Sequence, residues 1–138
     1  MDEKRLESIP LFAGLSKKER RGVAQRADEV DIDEGREIVR EGEFPYEFFA
    51  IEEGIAEVKR GEQHLAELGP GDFFGEMGLI GKAPRNASVI ARSPVIAVVM
   101  TGSAFRQIDR ELPGVAKQIR KAIDERNRQL MPVGEEPS

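Results

Sequence analysis

A chain of 138 residues with 39% hydrophobic and 34% charged residues and a net charge of −5 reads as one soluble globular domain with room for a real core. It has no cysteine and a single histidine, His64, which excludes disulfides, thiolate metal sites, cysteine nucleophiles and a multi-histidine metal centre. Its longest purely apolar run, Val95 to Met100, is far too short to cross a bilayer, and the charged start Met1 to Arg5 leads into no apolar signal segment, so the cytoplasm is the expected compartment.

In chain order, the first firm signal is Ser16, followed by Lys17-Lys18-Glu19 at the spacing of a capping box. It predicts a helix running to about Arg26. Short strand-like segments follow at roughly 28–33, 36–41, 46–53, 54–60, 63–68, 86–92 and 95–100. Gly35, Gly42, Gly54, Gly61 and Gly69-Pro70-Gly71 punctuate them. Val58 and Leu65 alternate with polar neighbours, as in half-buried strands. So many short strands imply a small antiparallel barrel or sandwich. After Thr101-Gly102 the period changes. Phe105 and Ile108 predict a short helix stopping near Pro113. Val115, Ile119, Ala122, Ile123, Arg126 and Leu130 then share one face of a last helix over 115–131. Pro132 and Gly134 end it, leaving 132–138 as a disordered tail.

Charge is unevenly spread. Residues 27–76 hold sixteen acids against Arg36, Arg40, Lys59 and Arg60. Residues 16–26 hold Lys17, Lys18, Arg20, Arg21 and Arg26 against Glu19 alone. That basic cluster reads as a solvated helix face or, more sharply, as a contact surface for an acidic partner.

The stretch from Gly75 to Ser88 carries the chemistry. Glu76 and Arg85 stand nine residues apart, with small residues beside both and a Gly/Pro turn between them. A 3′,5′-cyclic nucleotide offers one phosphodiester charge on two exocyclic oxygens, which suits a guanidinium fork. Its free ribose 2′-hydroxyl suits a carboxylate acceptor. Small residues let backbone N–H groups approach the phosphate, and a helix starting near Glu76 would aim unpaired N–H groups at it.

Phe74-Gly75-Glu76-Met77-Gly78-Leu79, followed by Arg85-Asn86-Ala87-Ser88, resembles the phosphate-binding cassette of cyclic nucleotide-binding domains. Glu41-Gly42-Glu43, Phe48 to Gly54, and Leu68-Gly69-Pro70-Gly71-Asp72-Phe73 keep that family's order and spacing. Ile9-Pro10-Leu11-Phe12 and Leu15 look like its lead-in to an N-terminal helical bundle. The resemblance covers roughly residues 6 to 130. It implies a mainly β fold with flanking helices, a jelly-roll β-barrel (double-stranded β-helix). An N-terminal helical segment (1–26) precedes the barrel (27–101), which carries the cassette helix (74–88), and two C-terminal helices (102–131) follow.

By the same resemblance, Glu76 accepts the ribose hydroxyl and Arg85 binds the phosphate. Gly75, Met77 and Gly78 offer backbone contacts, and Ala87 and Ser88 sit beside Arg85. Val58, Leu65 and Phe74 would wall the pocket. Asn86 occupies the position that discriminates purines, where Thr accompanies cGMP and Ala or Ser accompanies cAMP; Asn is neither, and cAMP is favoured over cGMP. Two alignments disagree on the residue of the last helix that covers the base: one nominates Leu130 and Met131, the other Arg126. The implied function is a stand-alone sensor with no catalytic role and no metal. It would signal to an effector protein through the cassette and last helix, and that helix could also pair with a copy of itself. No helix-turn-helix follows, so direct DNA binding is not expected. The alternatives are a cGMP-preferring sensor, an interaction module of the same fold without nucleotide, a cupin-class enzyme, against which the lone His64 argues, and a transcription factor that lacks its DNA-binding part or acts through a partner.

Overall fold

The computed structural model describes residues 1–42, 47–75 and 87–130, with the side chains of 126–130 excepted. The chain opens with a 3-10 helix, Glu3–Ser8, capped by Asp2, whose side chain accepts from the Lys4 N–H at 3.0 Å. Helix α1, Pro10–Ala13, begins on a proline, which needs no N–H partner there. Helix α2, Lys17–Ala24, starts with the predicted capping box. Ser16 Oγ accepts from the Glu19 N–H at 3.1 Å, and Glu19 Oε1 accepts from the Ser16 N–H at 2.8 Å. It ends before Arg26, whose guanidinium donates back to the Gly22 carbonyl at 2.8 Å and pairs with Glu111.

Eight strands follow: β1 Asp28–Ile32, β2 Glu37–Val39, β3 Glu47–Glu53, β4 Ala56–Arg60, β5 Gln63–Leu68, β6 Phe73–Phe74, β7 Ser88–Ala91 and β8 Val95–Thr101. They form two antiparallel four-stranded sheets, β1-β8-β3-β6 and β2-β7-β4-β5. The architecture is jelly-roll-like, but among the described residues the sheets are separate and do not close into the expected barrel. Helix α3, Gly102–Glu111, is capped by Thr101, and helix α4, Pro113–Leu130, starts on the proline that ends α3.

Three layers result: helices, first sheet, second sheet. The run Phe48-Phe49-Ala50-Ile51 in β3 is buried throughout because both faces of the first sheet are covered. Phe48, Ala50, Phe73, Val98 and Met100 join Leu6, Phe12, Phe105, Ile119 and Ile123 in the core under the helices. Phe49, Ile51, Phe74, Ala97 and Val99 point the other way, into the core between the sheets. Two aromatic contacts tie β6 to β3. Phe49 stacks on Phe74 at 5.1 Å, and Phe48 meets Phe73 at 5.6 Å, tilted by 39°.

The basic cluster is partly internal glue, which neither sequence reading anticipated. Arg20 bonds Glu3 at 3.2 Å, Glu7 at 3.3 Å and the Leu15 carbonyl at 2.5 Å, and Arg26 joins α2 to α3. Among the described residues, no helix is long and apolar enough to cross a membrane.

Candidate functional site

The cassette's two ends sit on different sheets. Its first end leaves the first sheet after β6, where Phe74 is held opposite Phe49. Gly75 follows with φ 77°, a backbone region that disfavours any side chain. Its second end enters the second sheet at Ser88, opposite Lys59 of β4. There Ser88 Oγ accepts from the Glu41 N–H at 2.9 Å, and Glu41 Oε1 accepts from the Gly61 N–H at 3.0 Å. The segment Glu76 to Asn86 therefore joins the two sheets. Glu76, Met77, Gly78, Arg85 and Asn86 lie outside the described residues, as do Met131, the 132–138 tail and the side chains of Arg126 and Leu130.

The three nominated wall residues separate. Phe74 is buried in the core between the sheets, and Val58 packs partly against that core. Leu65 is not half-buried: at 38% exposure it is the one large exposed hydrophobic residue among those described. A bulge explains this. Val58 pairs with Ala66 and Lys59 with His64, so Leu65 is the extra residue on β5 and the alternation breaks there. Periodicity carries no sign of such an inserted residue.

An open groove of about 320 Å³ runs between the β1 and β2 edges, floored by Val30, Ile38, Phe49 and Val99 and rimmed by Asp31, Arg36 and Glu47. None of the nominated wall residues lines it, although Phe49 touches Phe74. Its lining comes from four separate strands and the turn before β2, a grouping that no contiguous sequence motif contains.

Helix α4 is held by its first turns. Val115, Ala116, Ile119 and Ile123 are buried in the core under the helices. Arg120 donates to both oxygens of Asp109 on α3, each at 3.0 Å, and lies over the Phe105 ring at 5.0 Å. Those hydrogen bonds hold the Asp109 carboxyl below its usual range. On the outer face of the second sheet Glu57 accepts from Arg92 at 2.5 and 2.8 Å and meets His64 Nδ1 at 2.7 Å. The His64 bond, then the Arg92 bond, push its carboxyl down. Among the described residues, no group of three His, Cys, Asp or Glu could hold a metal ion.

The described residues form a jelly-roll-like sandwich with a helical layer, its sheets joined in sequence through the segment that leaves β6 at Gly75 and enters β7 at Ser88. The family model for the cyclic nucleotide-binding domain matches residues 29–111, and the chain belongs to that family of regulatory binding domains. It is 32% identical over 120 residues to a cAMP-dependent protein kinase regulatory subunit of Hypocrea atroviridis, covering 87% of this chain and 26% of that protein. The chain spans about a quarter to a third of the length of the curated relatives it matches. A putative cyclic nucleotide-binding protein from Geobacter metallireducens shares the fold with a TM-score of 0.80 at 21% identity, covering 91% of this chain and 94% of that one. The regulatory subunit of a cAMP-independent protein kinase A from Trypanosoma brucei does so with a TM-score of 0.79 at 23% identity, covering 91% of this chain and 44% of that one.

Proposed function

We propose that this chain is a regulatory sensor that binds a 3′,5′-cyclic purine nucleotide, cAMP in preference to cGMP, and catalyses nothing. The observation that carries the reading is the family match, which spans the whole cassette from Gly75 to Ser88. The described ends add support: Gly75 needs its glycine conformation, and Ser88 is fixed beside β4. In this reading Arg85 pairs with the phosphate, Glu76 accepts the ribose hydroxyl, and the base lies toward Val58 and Leu65. Nucleotide over Leu65 would cover its exposed apolar surface.

Output is a population shift. Nucleotide favours the arrangement in which cassette and α4 are closed, and its preference for that state limits the signal passed to an effector protein. The named Hypocrea relative is a kinase regulatory subunit, so a protein kinase is the class of effector to try first. Calorimetric titration with cAMP and cGMP tests the reading. Arg85→Leu should weaken binding by about 2–4 kcal/mol, the cost of stranding a charge without its partner. Unchanged affinity in that variant would remove the phosphate role.

One observation favours a second reading, an interaction module that no longer binds nucleotide: the fold also occurs in a kinase regulatory subunit described as cAMP-independent. Heat neither released nor absorbed with either nucleotide, and unchanged thermal stability in their presence, would favour it.

A further inference from the structure

The N-terminal 3-10 helix is fastened to the first sheet by one cation and two carboxylates. Arg5 lies 3.4 Å from Glu29 of β1 and 3.6 Å from Glu52 of β3. Glu52 is the buried member, its side chain only 6% exposed, against 30% for Glu29 and 52% for Arg5. One of its oxygens, Oε1, is wholly buried without a hydrogen-bond donor. Two carboxylates beside one guanidinium leave a negative charge in surplus, and a buried charge without a partner is costly. The inexpensive solution is a proton on Glu52, which then donates to the Glu29 carboxylate.

We propose that Glu52 is protonated against the Glu29 carboxylate and, with Arg5, forms a pH-sensitive latch that holds the N-terminal helical segment on the first sheet. Every neighbouring charge bears on it. Arg5 faces it from the 3-10 helix, Glu29 from β1 and Glu53 from β3 itself, while β8, which lies between β1 and β3, carries no titratable side chain. Burial first, then Glu29, push the Glu52 carboxyl up from 4.5 to about 7, and Arg5 pulls the other way without prevailing. As pH rises through neutrality the proton leaves Glu52 for solvent. Glu29 and Glu52 then repel, and Arg5 can neutralise only one of them.

The consequence reaches α4. Leu6 and Ile9, on either side of the latch helix's end, are fully buried in the core that also contains Val115, Ile119 and Ile123. Loosening the 3-10 helix loosens the floor on which α4 rests. The latch does not require that the domain bind nucleotide.

Carbon-detected NMR titration of the glutamate carboxyls in the natural chain tests the proton on Glu52. Glu52 should titrate near neutrality; titration in the ordinary carboxylate range overturns the latch. Amide exchange tests the consequence. Corrected for intrinsic base catalysis, exchange at Leu6 and Ile9 should be about tenfold faster at about pH 8.5 than at about pH 6. Glu52→Gln, which keeps the shape and stays neutral, should abolish that difference, and its persistence overturns the proposal. Should the variant fail to fold, the titration of the natural chain decides alone.

Discussion

Gly54 turns the chain from β3 into β4 with φ 99°, and a Cβ there would run into the Pro94 carbonyl oxygen and the Val95 backbone. Two costs therefore coincide, a backbone conformation that side chains disfavour and a backbone neighbour that cannot step aside. Gly54→Ala should cost about 2–4 kcal/mol of stability in a urea titration, against less than about 1 kcal/mol for Gly14→Ala, whose added methyl meets nothing within 4 Å. At Glu76 the proposed role is equally specific. If its carboxylate accepts the ribose 2′-hydroxyl, 2′-deoxy-cAMP should bind more weakly than cAMP by about 1–3 kcal/mol. Equal affinity for the two would take that role away. The resemblance gave Glu76 and Arg85 of the cassette their roles, but it gave none to Glu52, whose chemistry comes from Arg5 and Glu29 rather than from any motif.

Among the elements, α4 is the one whose placement matters most for the proposed signal. Its apolar stripe was legible because helical periodicity repeats within a few residues. Its clamp to α3 was not, since Asp109 and Arg120 meet only when the chain turns at Pro113. Both partners are 44% exposed, so solvent screens the pair. A double-mutant cycle on Asp109→Ala and Arg120→Ala should return a small favourable coupling, with the Phe105 contact included in the Arg120 loss. A coupling indistinguishable from zero would reduce the pair to a surface contact. β5 teaches the opposite lesson. Its alternation pointed to a half-buried Leu65, and a one-residue bulge against β4 breaks that alternation and leaves the side chain exposed. Strand registers are set by the partner strand, which a single segment does not contain.

For the whole molecule, pH acts through two sets of carboxyls with opposite signs. Glu52 holds a proton in the folded state that the unfolded chain releases, so its contribution falls as pH rises from about 4.5 to about 7. Glu57 and Asp109 are held down by His64 and Arg92 and by Arg120, so their contributions are lost as pH falls through the acid range. Stability should peak on the mildly acidic side of neutrality, and Glu52→Gln should flatten the decline that follows as pH rises to and through neutrality. Thermal melts across that range check it; a melting temperature that climbs steadily to pH 8 in the natural chain would contradict the sign.

What the sequence determined by itself was whatever depends on near neighbours or on a motif. The capping box at Ser16, the glycine breaks, the β-rich middle between helical ends, the helical face of α4 and membership of a nucleotide-binding family were all readable, because each signal repeats or closes within a few residues. Tertiary structure alone decided which faces were covered and which charges met. It placed helices over one side of the first sheet, so that Phe48-Phe49-Ala50-Ile51 is buried on both faces. It paired the two-residue β6 with β3 and turned Arg20 and Arg26 from a surface cluster into ties between elements. Finally, it brought Arg5, Glu29 and Glu52 together from three separate elements. The physical reason is common to all of these: burial and charge pairing depend on distance in space, and residues far apart in the chain acquire that distance only when the sheets and helices pack.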